Sequence, residues 1–443
     1  MQTPSSISTP PRSGLLMQRL AAGLILIAII TSALRGLGVE LAGSLVGLCY
    51  WLAIVLLWQR TAAKTRLLSS IMLVAGGASL GWGLLRDAQV DWANLAGANT
   101  AIISMVVSVS FLSLVRLGKA GQQTSLLAGR KGLLSTLLGI HLFASVINLS
   151  AMFIFADRIS KDGRLSRLQT LTVNRALTLG AFWSPFYASM AVALAYVPDA
   201  PLLQLLMVGV PLALTGLLFT LWELGRDPDC QHFQGYPLQL ASLWFPALMA
   251  SLVLVLHQRQ PDVPVLVLIT VLAPILSLTI YLGFQRRSEK GARKVRDHVQ
   301  QRLPQMCNEI TLFLSAGLMT QGLAVLVSTL AGWQLFDDFG VVPAIVSLLA
   351  IMAAAIAGLH PIIGISVLAS LVTPQEGQQL LFALVLLACW SVGTSVGPLS
   401  GINLALHGRY QADIYQVMRW NLPYALVMTT AVVGVLVLVG FTG

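Results

Sequence analysis

The chain has 443 residues, 56% of them hydrophobic and only 10% charged, with a formal net charge of +10 and a mean hydropathy of +0.80. Soluble domains carry about 25% charged residues, so this composition excludes a soluble fold and indicates an all-α polytopic membrane protein. The excess Lys and Arg falls in short loops, as expected of cytoplasmic loops. No basic face is interleaved with aromatics, so nothing indicates a nucleic-acid partner.

Met1 to Gly14 is polar and rich in Pro and Ser, and it runs into a long apolar helix with no small-residue cleavage site. We therefore expect an uncleaved first helix. Apolar spans of about 20 residues are predicted at 17–35, 40–58, 66–85 and 95–115, followed by an apolar block at 132–156 and an interrupted segment at 171–197. Further spans fall near 201–222, 237–256, 262–284 and 305–330. A second apolar block at 341–373, a second interrupted segment at 377–408 and a last span near 414–440 complete the chain. This makes about 11 membrane helices besides the two blocks. Cys49, Cys230, Cys307 and Cys389 are scattered without a CxxC pair and read as packing residues.

Charge sets the topology. Arg12 and Arg19 place the N-terminus inside, and Arg60, Lys64 and Arg66 return inside, with Asp87 and Asp91 outside. Arg116, Lys119, Arg130 and Lys131 are again inside. Arg158, Lys161, Arg164 and Arg167 would then lie outside if 132–156 crossed the membrane. The conflict disappears if 132–156 is a re-entrant hairpin of two short helices, with its tip at Ser145-Val146-Ile147-Asn148. The same logic makes 341–373 a hairpin entering from the other side, with its tip at Gly358-Leu359-His360-Pro361. The C-terminus then lies outside, which in a bacterial inner membrane is the periplasmic face.

An inverted repeat follows. After a cytoplasmic N-terminus and first helix (1–36), residues 37–225 and 226–443 each read as three helices, a hairpin, a broken helix and a final helix. The offsets agree: Ser145 to His360 is 215, Pro185 to Pro398 is 213 and Pro211 to Pro423 is 212. Paired interrupted segments in two halves of a chain point to a transporter's substrate site. Each break carries a proline, Trp183-Ser184-Pro185 and Ser395-Val396-Gly397-Pro398, which frees backbone groups tolerated at membrane depth only beside protein or a water-filled cavity. Half-helix N-termini suit anions, and exposed C-terminal carbonyls suit Na+.

These considerations nominate Ser145, Asn148, Trp183, Ser184, His360, Thr394, Ser395 and Asn403 as substrate-binding residues. Possible Na+ sites fall at Ser145, Asn148, Pro185, Gly397 and Ser400. Asn148 and His360 are the costliest of these to bury, and His360 either titrates or simply bonds a carbonyl. Ser150 and Ser366 read as bonding their own helices, and His141 as packing. Arg175 and Arg419 read as snorkelling to the cytoplasmic interface. Acidic residues are almost absent from the spans, with Glu40, Glu223 and Glu309 near their ends, so a pump built on buried carboxylates is disfavoured.

The layout resembles the ion transporter superfamily over residues 40–440, above all the divalent-anion/sodium symporters, and beyond them the large membrane subunits of TRAP transporters and the citrate and arsenite carriers. The resemblance implies an elevator motion of a hairpin-bearing domain against a scaffold, within a homodimer. It places one cation site at Ser145, Asn148 and the Ser184/Pro185 break, and another at His360, Thr394, Ser395, Gly397 and Asn403. Those symporters carry Ser-Asn-Thr at each tip, and neither tip here does. The expectation is a secondary transporter coupled to Na+, with no cofactor, that moves a small organic anion. Proton coupling or export of an inorganic anion on the same fold stays open, as does a membrane enzyme handling a lipid-linked substrate, although His141, His257, His360 and His407 form no catalytic cluster.

Overall fold

The computed structural model describes residues 12–115, 125–238, 243–284, 289–330 and 333–442. The chain is an all-α, multi-pass membrane protein. The order of elements begins with α1 (Arg12–Gly36), α2 (Gly43–Leu57), α3 (Ala63–Leu85), α4 (Trp92–Gly97) and α5 (Thr100–Val109). Strand β1 (Leu127–Ala128) leads into α6 (Gly129–Ile147), α7 (Leu149–Ile159), α8 (Arg167–Leu179), α9 (Ala188–Tyr196) and α10 (Leu202–Arg226). Strand β2 (Gln234–Gly235) pairs antiparallel with β1. Then follow α11 (Trp244–Arg259), α12 (Val265–Phe284), α13 (Glu289–Asp297), the single turn α14 (Leu303–Gln305) and α15 (Cys307–Ser328). The last five are α16 (Val341–Ile356), α17 (Pro361–Leu371), α18 (Gln379–Val396), α19 (Gly401–Tyr410) and α20 (Ile414–Thr442).

Ten helices among the described residues are individually long and apolar enough to cross a membrane. The predicted span at 171–197 is cut into α8 and α9, each too short alone. The one at 237–256 begins its helix only at Trp244, while α6, the first arm of the first hairpin, is itself of spanning length.

Both apolar blocks fold back on themselves. In the first, α6 ends at Ile147 and α7 begins at Leu149. Gly139 and Phe143 of one arm pack on Phe155 of the other, with the two phenyl rings 5.6 Å apart. A Cβ on Gly139 would lie 2.6 Å from the Phe155 ring, so glycine is what lets the arms close. In the second, Gly364 of α17 faces Ile351 of α16, where a Cβ would come within 2.9 Å. The reversal passes through Gly358 at φ +105, a conformation natural to glycine.

Packing separates the helices into two bodies. Helices α1 to α5, α11, α12 and α15 pack mainly on one another. Their tightest crossing is α3 on α15, where a Cβ on Gly322 would sit 2.2 Å from the Gly76 carbonyl oxygen, the small-residue contact that lets membrane helices approach closely. The two hairpins, both broken helices, α10 and α20 form the other body. Its centre is α18, where every residue from Leu381 to Val396 except Trp390 is buried, as expected of a helix apolar on every side. The bodies meet chiefly along α15 against α17 and α5 against α9. Each body draws on both halves of the sequence.

Candidate functional site

Each hairpin tip sits on the break of a neighbouring helix. At the first, Asn148 turns the chain with φ 49 and ψ −133, close to the first corner of a II′ turn, where glycine is usual. A non-glycine residue there costs on the order of 1–3 kcal/mol and persists only when its surroundings hold it. Asn148 Nδ2 donates to the Phe186 carbonyl at 2.9 Å, while its Oδ1 is buried without a partner. Across the gap, the helix of α8 tightens into a 3₁₀ turn at Gly180–Phe182 and stops before Pro185. The Ser184 hydroxyl donates to the Ser145 carbonyl and accepts from Phe186 N, tying tip to break. Ser145 Oγ donates to Leu142 O at 2.8 Å. That donation leaves the hydroxyl lone pairs free to accept.

His141 does more than pack. Its Nδ1 lies 3.1 Å from the Ala176 carbonyl and its Nε2 receives the Trp183 indole N–H at 3.2 Å. These partners require a neutral imidazole protonated on Nδ1, and they hold the half-buried Trp183 in place. Behind the break, α10 approaches so closely that a Cβ on Gly209 would lie 2.2 Å from Phe182 O.

The second tip is more self-contained. His360 Nδ1 accepts from Ile362 N at 3.2 Å and so caps α17, while its ring meets Trp390 edge-on at 5.9 Å. Pro361 lies against Gly393, where a Cβ would come within 2.8 Å, and the Ala355 carbonyl faces Gly397. In the break, Ser400 caps α19 by accepting from Asn403 N. Thr394 and Ser395 hydroxyls bond carbonyls of their own helix. Asn403 is fully engaged: Nδ2 donates to Gly397 O at 2.9 Å and Ser395 O at 3.3 Å, and Oδ1 accepts from Asn174 at 2.8 Å. The Ser395 carbonyl also accepts from Asn174 and Asn421. Three amide donors leave that oxygen no lone pair for a cation.

That network continues into a charge. Arg175 is wholly buried, and the expectation that it snorkels to the interface is corrected here. Its Nε donates to Asn421 Oδ1 at 2.8 Å, one terminal nitrogen to Glu223 at 2.6 Å and the other to Trp420 O at 3.3 Å. The guanidinium also lies 4.6 Å from the Tyr424 ring centre. Arg419, in contrast, is exposed. Helix α8 carries Thr170, Thr172, Asn174, Arg175 and Thr178, all buried, and this density of polar residues in a membrane segment was the available signal. A second cluster lies on the seam between the bodies. Tyr196 OH, at the end of α9, meets Asn99 Nδ2 at 3.3 Å, Thr320 Oγ1 at 3.3 Å and Ser366 Oγ at 3.2 Å. Ser366 thus reaches a neighbouring helix rather than only its own. Asn99, at φ 60, breaks the predicted span 95–115.

The structure therefore gathers Ser145, Asn148, Trp183, Ser184 and Pro185 at one junction, and Thr394, Ser395, Gly397, Ser400 and Asn403 at another beside His360. The two junctions adjoin through α18, where Ser391 Oγ donates to Thr178 O at 2.8 Å. They differ chemically. No side chain caps the N-termini of α7 and α9, whereas α17 and α19 are both capped. The first junction thus combines uncapped helix N-termini, which favour anions, with an unpartnered buried carbonyl oxygen. Neither protein-family models nor curated proteins give a match to this chain. Among solved structures, the Alcanivorax borkumensis YdaH transporter is similar over 98% of this chain and 99% of its own, with 15% identity and a TM-score of 0.44.

Proposed function

We propose that the protein is a secondary active transporter that carries a small organic anion, of the carboxylate class, across a bacterial inner membrane in symport with Na+. The observation that carries this reading is the pair of hairpin tips seated on broken helices inside one body, which meets a separate body of long helices along a limited seam. Interrupted helices of this kind place backbone dipoles at membrane depth, where they hold ions and substrates. The uncapped N-termini of α7 and α9 are the anion's partners in this reading. Asn148 Oδ1, with the lone pairs of Ser145 Oγ, faces the cation. The hairpin-bearing body moves against the long helices as an elevator, within a homodimer whose N-termini are cytoplasmic and whose C-termini are periplasmic.

The test uses purified full-length protein. Thermal melting is followed with Na+, K+ or pH steps against a panel of mono-, di- and tricarboxylates, and hits are carried into proteoliposome uptake. The expected result is a carboxylate shift that requires Na+. A shift that follows pH in place of Na+ assigns the coupling to protons, with His360 the residue to examine. No shift with any carboxylate or cation, together with an intact cellular phenotype in Asn148→Ala, refutes the reading.

A further inference from the structure

The basic residues at the start of α6 and the end of α10 form a built groove rather than a scattered loop charge. Arg130 and Lys131 open α6, Arg226 closes α10, and between them lies a cleft of about 510 Å³ floored by Leu134, Leu218 and Trp222. The groove is held in shape. Arg130 Nε donates to Gly225 O at 2.8 Å, which fastens the two helix ends together. The Arg226 guanidinium lies 4.5 Å from the Trp222 ring centre, which orients it along the apolar wall. No carboxylate among the described residues pairs with these three cations, since the neighbouring Asp227 is engaged by Arg167 and Glu223 by Arg175.

What adjoins the groove identifies its occupant. Met207, Val210, Leu214, Leu218 and Trp222 recur at helical spacing along one side of α10, and all are exposed. This makes a continuous apolar track that begins at the groove and runs toward the membrane centre. From Trp222 to Leu214 it covers eight residues, about 12 Å at 1.5 Å each, comparable with much of one leaflet's hydrocarbon depth. A soluble anion would use the cations and leave the track bare. A phospholipid uses both, and Trp at this depth is the usual marker of the interface.

We propose that this groove binds one anionic phospholipid, with its phosphodiester between Arg130, Lys131 and Arg226 and an acyl chain along Trp222, Leu218 and Leu214. Basic pockets between membrane helices hold lipid headgroups in this way. The site joins the first hairpin to α10, so an occupied groove clamps the outer end of the hairpin arm. The inference is independent of the transport reading.

The experiment measures binding of phosphatidylglycerol to the purified full-length protein by native mass spectrometry and by thermal shift. Phosphatidylcholine, inorganic phosphate and glycerol 3-phosphate are the comparison ligands. One phosphatidylglycerol should be retained in preference to phosphatidylcholine, and the soluble phosphates should give no shift. The double variant Lys131→Gln/Arg226→Gln should bind about 30-fold more weakly, at roughly tenfold per 1.4 kcal/mol and about 1 kcal/mol per basic residue, while Lys131→Arg/Arg226→Lys should stay close to wild type. Photo-crosslinking of azido-phosphatidylglycerol to the unmutated protein should label peptides spanning 130–134 and 214–226. Equal retention by the Gln double variant overturns the proposal, and so does labelling elsewhere. An equal shift with inorganic phosphate also overturns it, by reducing the groove to a simple anion site.

Discussion

Asn148 offers a way to separate a structural role at the first tip from an ion-binding one. It holds φ 49 and ψ −133, donates one hydrogen bond to Phe186 O and leaves Oδ1 buried without a partner. Replacement by glycine removes the hydrogen bond, worth about 1 kcal/mol, and relieves backbone strain of about the same size. The two offset each other, so Asn148→Gly should melt within a few degrees of wild type. Asn148→Ala loses the same hydrogen bond without that relief, so it should lose about 1 kcal/mol.

Ligand binding should follow a different order. A cation at one hundred times its Kd stabilises the folded state by about 2.7 kcal/mol, and both variants lack the oxygen that faces it. The assay is a melt by intrinsic tryptophan fluorescence in detergent, with Na+ titrated against K+ at constant ionic strength. Wild type should show a Na+-dependent rise, and Asn148→Gly should start at nearly the same midpoint but show little rise. If Asn148→Gly keeps the full Na+ response, Oδ1 is not a ligand and the strained asparagine is only a turn.

The seam can be tested by arresting it. Thr320 and Ser366 both lie within 3.3 Å of the Tyr196 hydroxyl, so a Thr320→Cys/Ser366→Cys pair should cross-link with a short bifunctional thiol reagent, and reductant should restore an uptake that the cross-link stops. The native cysteines are all buried, which keeps the background low. Undiminished uptake in the linked protein would rule out motion along this seam. For the Arg175–Glu223 pair, whose arginine is buried and whose glutamate is half-buried, removing Glu223 alone leaves the Arg175 charge without its counter-ion and should cost about 3 kcal/mol, at the low end for buried pairs; Arg175→Met/Glu223→Met should recover part of that loss, and a strictly additive double variant would refute the pairing argument. Outside the spans, His298 bonds Ser110 at 3.2 Å, and burial, with Arg302 and Lys294 nearby, pushes it down to about 4. The unfolded chain takes up this proton near pH 6.5 and the folded one only near 4. Stability should therefore fall by about 3 kcal/mol as pH drops through that window, and a His298→Gln variant that melts with the same pH slope would refute the assignment.

Hairpins and breaks were legible because membrane physics writes them locally. Loop cations point to the first hairpin, and proline marks both broken helices at positions that are non-helical in the structure. Arg175 was misread for the opposite reason. A cation within a few turns of a helix start ordinarily reaches water, and only tertiary structure brings it Glu223 from 48 residues away and Asn421 from 246. Asn403 and Ser395 illustrate the same limit from the other side. An asparagine beside a broken helix reads as a ligand, but whether its amide faces a cavity or another amide depends on α8 and α20, which no local pattern connects to it. Tyr196 carried no signal either, since an aromatic at a helix end is ordinary at an interface.

The two junctions are related in sequence order yet chemically unequal, and that inequality bears on where a substrate can sit. At the second, Gly358 makes the turn without strain, His360 and Ser400 cap the following helices, and Asn174, Asn403 and Asn421 saturate the Ser395 carbonyl. Among the described residues, none of its side-chain polar atoms is buried without a partner. At the first, a strained asparagine keeps an oxygen unpartnered and two short helices begin without side-chain caps. Strain held in place by its surroundings, and buried polar groups left unsatisfied, cluster at functional sites. The second junction is thus the more rigid of the two, with Arg175 tying α8 to Glu223 of α10 and to Asn421 and Trp420 of α20, and under the proposed function it is the first junction to which ion and anion are assigned.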